Sequence, residues 1–105
     1  MGNSTDPVHI EHTADTTHVV LEAALGIRDA RALREKLNTV LAAATAVVLD
    51  GSRVERLDAA AMQVLAGFAR AAREHGLALT WQSPSPVLQQ AARVLGFESI
   101  LEMAS

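Results

Sequence analysis

The chain has no cysteine and only three aromatic residues, Phe68, Trp81 and Phe97. Without thiols there can be no disulfide, no thiolate metal site and no cysteine nucleophile. Three rings are too few for a base-stacking platform or an aromatic cage. An excess of cations is also missing. The formal net charge of −3 removes the electrostatic drive on which nucleic-acid binding depends. No apolar run approaches the roughly 18 residues that a membrane span needs. The opening residues, Met1 to Asp6, are polar and do not form a signal peptide. They also miss the myristoylation pattern, because Asp6 stands where Ser or Thr is required. The glycines, Gly2, Gly26, Gly51, Gly67, Gly76 and Gly96, compose neither a dinucleotide fingerprint nor a Walker loop.

What is present suits one small domain. Of 105 residues, 50% are hydrophobic and 20% charged, which excludes disorder and leaves room for a single core. Residues 1–7 are expected to be a flexible lead-in and residues 8–105 the domain, with the cytoplasm as the expected location.

Val8–His12 alternates apolar and polar residues, and His18–Glu22 reads as a second strand across a turn at Asp15-Thr16-Thr17, so the two form a hairpin. Asp29 is expected to cap a helix from Ala30 to Ala43, whose stripe is Leu33, Leu37, Val40, Leu41 and Ala44. Ala46–Asp50 is a nearly continuous apolar run, suited to a central strand covered on both faces. Asp58 is expected to cap a second helix carrying Ala61, Met62, Leu65, Phe68, Ala69 and Ala72, closed by Gly76. Leu77–Trp81 makes the fourth strand. Ser85 and Pro86 open a third helix that ends at Gly96. Phe97, Ile100 and Leu101 are expected to pack back as an apolar tail. The order β-β-α-β-α-β-α predicts an α/β fold with a four-stranded mixed sheet, largely parallel after the hairpin, and three main helices. The expected core includes Val20, Leu33, Leu37, Val48, Leu65, Phe68, Leu79, Leu88 and Leu95.

Chemistry-bearing residues are sparse. His9 and His12 are three apart on a strand and so point to opposite faces; with His18 nearby, an ordinary surface role outweighs a metal site. His75 at a helix end is favourable to the dipole without any function. Asp50 and Asp58 lie on the rim at the carboxyl ends of the parallel strands, where open α/β folds bind ligands. A turn at Asp50 and a cap at Asp58 account for them without any function, and that reading outweighs the ligand one. No nucleophile with a base at a recognisable spacing is visible.

The stretch from Val47 to Leu65, with Asp50-Gly51-Ser52 after a strand and Asp58-Ala59-Ala60-Ala61 opening a helix, resembles the signature of STAS domains, the sulphate-transporter and anti-sigma-factor-antagonist family. The likeness continues through Ala71–Leu79, Ser83–Pro86 and Leu95-Gly96-Phe97, and covers about residues 8 to 103. It implies a non-catalytic protein-binding module, with no cofactor and no metal. In the anti-sigma antagonists a Ser or Thr just after the helix-opening Asp is phosphorylated by a partner kinase, which switches binding off. Here Ala59, Ala60 and Ala61 occupy that stretch and carry no hydroxyl, and Ala61 also replaces the usual glycine. The resemblance therefore implies a constitutive adaptor for an anti-sigma kinase, for an ABC-transporter ATPase of the phospholipid-asymmetry type, or for a chemotaxis component. No nucleic acid and no direct membrane insertion are expected, and a weak homodimer is a further option.

The expected docking patch is Gly51, Ser52, Arg53, Asp58, Ala59, Ala60 and Met62, with Met62 offering an adaptable apolar contact. Ser52 is expected to hydrogen-bond locally. The alternative is a small-ligand domain taking a nucleotide or lipid at the same surface. A catalytic role for Asp50 and Asp58 has the least support.

Overall fold

The computed structural model describes residues 7–13, 15–43 and 46–97. The lead-in before Pro7, helix position Ala44 and the tail positions Ile100 and Leu101 lie outside the described residues. The strands are β1 (Val8–His12), β2 (Thr17–Leu21), β3 (Ala24–Leu25), β4 (Ala46–Asp50), β5 (Arg56–Leu57) and β6 (Ala78–Gln82). The helices are α1 (Ala30–Ala43), α2 (Ala59–Glu74) and α3 (Pro86–Leu95), and a 3-10 turn at Ile27–Asp29 leads into α1.

The main sheet runs β1-β2-β4-β6, with β1 antiparallel to β2 and the other pairs parallel. The parallel strands are therefore laid down in one direction, without reversal. Right-handed crossovers then place both connecting helices on the same face. A two-layer body 21 Å across its thinnest axis results. This is the expected four-stranded mixed sheet with three helices, joined by one addition: β3 and β5 pair in parallel as a separate two-residue ladder. Two-residue strands leave no periodicity to read, so the sequence gives no sign of them.

Helix ends follow local chemistry. Ser85 Oγ accepts from the Leu88 N–H at 3.1 Å, with Pro86 in the first turn. Behind α2, Gly76 takes φ +71, its N–H donates to Arg73 O and the Leu77 N–H donates to Ala72 O. Gly96 at φ +75 repeats the pattern behind α3, with Phe97 donating to Ala92 O. Both are Schellman closures, and each brings an apolar residue, Leu77 or Phe97, against the core.

The one-sided helix layer corrects the expected core. Val19, Leu21, Val47 and Leu49 are buried beneath Leu33, Leu37, Val40, Leu65 and Phe68. Val20 and Val48 point to the other face and are half-buried. Among the described residues β4 is thus covered by helices on one face only. An apolar run with valine at both parities fits either register, and only the crossover direction decides between them. Leu95 is likewise 42% exposed rather than buried, whereas Leu88 is buried as expected. Leu79 packs against the core from a partly buried position.

Truncating Leu49 to Ala should cost about 2–5 kcal/mol. Changing Val48 to Thr, one residue away on the other face, should cost less than about 1 kcal/mol. Urea unfolding of the two variants checks this; the reverse ranking would place the helices on the wrong face.

Candidate functional site

The two helix entries α1 and α2 are tied together at one end of the domain. Asp58 occupies the N-cap position of α2 in extended conformation, yet its carboxylate makes no bond to its own helix. Instead its Oδ2 accepts the N–H of Ile27, 31 residues earlier, at 2.9 Å. Asp29 does the equivalent within the turn: its Oδ2 accepts the Gly26 N–H at 2.9 Å, and its own N–H donates to Gly26 O at 3.0 Å. Asp29 therefore closes the 3-10 turn rather than capping α1. A Cβ on Gly26 would lie 3.6 Å from both carboxylates, so the two acids converge on that glycine. The short β3–β5 ladder completes the join, with the Asp58 N–H on Leu25 O and the Glu55 and Arg56 N–H groups on Ala23 O.

This bracing leaves Ile27 held from behind and 69% exposed in front. Arg28 and Arg56 are exposed beside it, around a surface hollow of about 300 Å³ that Asp58 also lines. Ala59 is exposed, Ala60 half-buried and Ala61 fully buried. Ala60 also borders a groove of about 350 Å³ between α1 and α2, whose rim includes Arg34, Asn38 and Gln63.

The loop after β4 forms the neighbouring wall. Asp50 Oδ1 accepts the Ser52 N–H at 3.0 Å, which turns the chain locally. Gly51 sits beneath that turn, bonded to Gln82 O and to the Ser85 N–H. A Cβ there would meet Leu88 Cδ2 at 2.5 Å and the Trp81 ring at 3.3 Å, so any side chain at this position has to displace the buried Leu88 methyl. Arg53 projects outward, 3.7 Å from Glu22 Oε2, which also lies 2.7 Å from His9 Nε2.

Two members of the expected docking patch are corrected. Met62 is completely buried and belongs to the core, and Gly51 is buried under its loop, so neither offers a surface to a partner. Both face inward because α2 lays its whole Ala61, Met62, Leu65 stripe on the sheet. Of the remaining members, Ser52, Arg53, Asp58 and Ala59 are exposed and Ala60 is half-buried. Ile27 was missed. It lies in the 3-10 turn before α1, outside the helical stripe, so periodicity gave no signal for it.

The rim reading of Asp50 and Asp58 also changes. Ligand crevices of open α/β sheets form where the strand order reverses, and these parallel strands do not reverse. Each carboxylate is instead bonded to a backbone N–H. The histidines are likewise spread out. His9 Nε2 lies 2.7 Å from Glu22 Oε2, His12 Nδ1 lies 3.2 Å from Thr17 Oγ1, and His75 Nδ1 donates to Ala71 O at 2.8 Å. Among the described residues no three His, Asp or Glu side chains gather as metal ligands.

Fold and site together define a two-layer α/β module whose distinctive end is a hydroxyl-free helix start hydrogen-bonded to the turn that carries an exposed isoleucine. Residues 8–102 match the family described as "Mlab, STAS domain", and the chain belongs to the STAS domain family. In general terms, that membership makes it a regulatory protein-interaction module. The sequence matches no curated protein. Among solved structures, the anti-sigma factor antagonist SpoIIAA in its unphosphorylated form is similar at TM-score 0.73 and 15% identity, over 93% of this chain and 99% of that one. An anti-sigma factor antagonist from Mycobacterium paratuberculosis is similar at TM-score 0.69 and 21% identity, over 88% and 79% of the two chains. Mglu is similar at TM-score 0.69 and 23% identity over 81% of this chain, but this spans only 22% of the Mglu chain. At these identities the likenesses establish the fold. Among the described residues no helix is long and apolar enough to cross a membrane.

Replacing Asp58 with Ala should cost about 1 kcal/mol and accelerate hydrogen exchange at the Ile27 amide, since that N–H loses its acceptor. Gly51→Ala should cost about 1–3 kcal/mol by displacing Leu88. Thermal unfolding and amide exchange read both. An unchanged Ile27 amide in Asp58→Ala would show that the brace is not what holds the turn.

Proposed function

We propose that the protein is a constitutive, non-catalytic adaptor that docks another cytoplasmic protein through the start of α2 and the turn before α1. The observation that carries this reading is the pairing of Ala59 and Ala60 with Ile27 on one braced surface. Small side chains at a helix start let a partner backbone come close, and a single exposed aliphatic side chain beside them supplies an anchor. Bracing keeps this surface in place before the partner arrives, which reduces the ordering cost of association. Arg28 and Arg56 line the hollow beside Ile27 as its polar rim, and the exposed Ser52 and Arg53 are assigned to the same patch.

Regulation by phosphate has no acceptor within this first turn. A phosphate there would add about −2 charge at the centre of the contact, and three alanines deny it a hydroxyl. The partner classes are an anti-sigma kinase, an ABC-transporter ATPase or a chemotaxis component. The transporter class draws support from the family description, which names the Mla-type domain. A small nucleotide or lipid at the hollow beside Ile27 is the weaker alternative. Its two carboxylates are already bonded to backbone N–H groups, and with Arg28 and Arg56 on the same lining the hollow carries no net positive charge to draw a phosphate.

Ala59→Asp separates folding from binding. The helix dipole favours the new carboxylate by about 0.3–1 kcal/mol, so thermal stability should be retained. Partner affinity should fall, because an unpaired charge buried in an interface is unfavourable. The measurement is affinity capture from the source cells with wild type and variant, followed by titration of the captured partner. A folded Ala59→Asp protein that binds as tightly as wild type would remove α2's start from the interface.

A further inference from the structure

The groove between α1 and α2 is not used by the fold. It holds about 350 Å³ and opens to solvent between exposed Arg34 and Asn38 of α1 and exposed Gln63 and Gly67 of α2. Buried Leu37 and Phe68 form its floor. Along α2 it runs from Ala60 to Ala71, about 16 Å or three helical turns.

Gly67 lies in the interior of a 16-residue helix, where glycine is less favourable than alanine. Its φ is not positive, and a Cβ there would meet no atom within 4 Å. Neither backbone conformation nor internal packing therefore calls for glycine. What the missing side chain leaves is depth in the groove.

The groove is also charged. Arg34 is the one ionised side chain in its lining, and among the described residues it has no ion-pair partner. Two more cations flank it, although the chain as a whole carries −3: Arg31, shared with Glu35, stands one turn before Arg34, and Arg70 one turn after Gly67. Glu74, the acid nearest in phase on α2, comes three residues after Ala71, where the groove has ended.

We propose that this groove takes an amphipathic helix of the partner protein, with a carboxylate set against Arg34. The inference rests on the reading of α2's start as the docking end, because Ala60 belongs to both surfaces. Helical form follows from what the walls lack. The backbone groups of α1 and α2 are bonded within each helix, so the groove offers only side chains. An extended segment would leave its own N–H and C=O groups unpaired over the apolar floor, whereas a helix satisfies them internally. Small apolar side chains of that helix would enter over Gly67, ridge into groove. A carboxylate on its flank would accept the guanidinium fork of Arg34.

Two synthetic peptides of about 18 residues, long enough to hold a helix, test this by titration into the full chain. They share an alanine-leucine face and differ only in glutamates or lysines along its flanks. The groove's own amides are bonded inside α1 and α2, so the Leu37 and Val64 methyl signals and the Asn38 side-chain amide report its filling. The glutamate peptide should move these signals and the lysine peptide should not; Arg34→Glu should reverse that order. Gly67→Leu should weaken the glutamate peptide about tenfold. Its melting temperature should hold or rise, since leucine is the better helix former. Signals unmoved by the glutamate peptide, or affinity indifferent to Gly67→Leu, would overturn the proposal. So would equal shifts from free glutamate, which would mark a small-anion site, or shifts on concentrating the chain alone, which would mark a second copy. Affinity capture separates this proposal from the reading on which it rests. If Ala59→Asp releases the partner while Gly67→Leu retains it, the docking end stands and the groove falls. If Ala59→Asp retains the partner, the docking end itself falls.

Discussion

The handedness of two β-α-β crossovers governs this molecule. Because β2, β4 and β6 are added in one direction, the same right-handed rule applies twice and both connecting helices fall on one face. Everything else in the core follows. Leu33 and Leu37 of α1 and Leu65 and Phe68 of α2 meet the same row of strand residues, Val19, Leu49 and their neighbours. The alternate row is left half-buried, with Val20 between His9 and Asp50 and Val48 between His18 and Thr80. A reversal of direction would have produced helices on both faces and a ligand crevice at the switch; its absence removes the usual small-molecule site of α/β sheets.

Helices confined to one layer must begin near one another at one end, and the chain invests its short polar side chains there. Asp58 is placed to cap its own helix but spans to the Ile27 N–H instead. That choice ties the start of α2 to the turn before α1, and with it the hydroxyl-free turn to the exposed isoleucine. A capping bond within α2 would have stabilised the helix about equally well without fixing the relation between the two helices. The geometry favours a surface built for another macromolecule over a pocket built for a metabolite: its polar groups are occupied internally, and what remains outward is small and apolar with an arginine rim.

Local signals in the sequence carried most of the fold and only part of the site. Element order and the ends of α2 and α3 were legible because Asp58, Ser85, Gly76 and Gly96 impose backbone conformations that few other residues adopt as readily. The sheet faces were not, because valine stands at both parities in β2 and β4, and parity becomes meaningful only once crossover direction is known. The site suffered from the same blindness to phase. Met62 looked available from its position in the first turn of α2, yet the stripe running through Leu65 buries it. Gly51 looked like a loop tip, while contacts from Leu88 and Trp81, more than 29 residues away, press it inward. The tie between Asp58 and Ile27 joins residues 31 apart through a backbone donor, and no spacing rule anticipates it.

The central claim is that the braced end formed by Ile27, Ala59 and Ala60 is where a protein partner docks. Amide hydrogen exchange of the chain, free and then saturated with the partner captured from its source cells, tests that most directly. The account predicts new protection confined to residues 26–29, 52–53 and 58–60, with the open sheet face around Val48 and Thr80 unchanged. Protection centred on that open face, with the 26–29 and 58–60 amides exchanging as in the free protein, would contradict it.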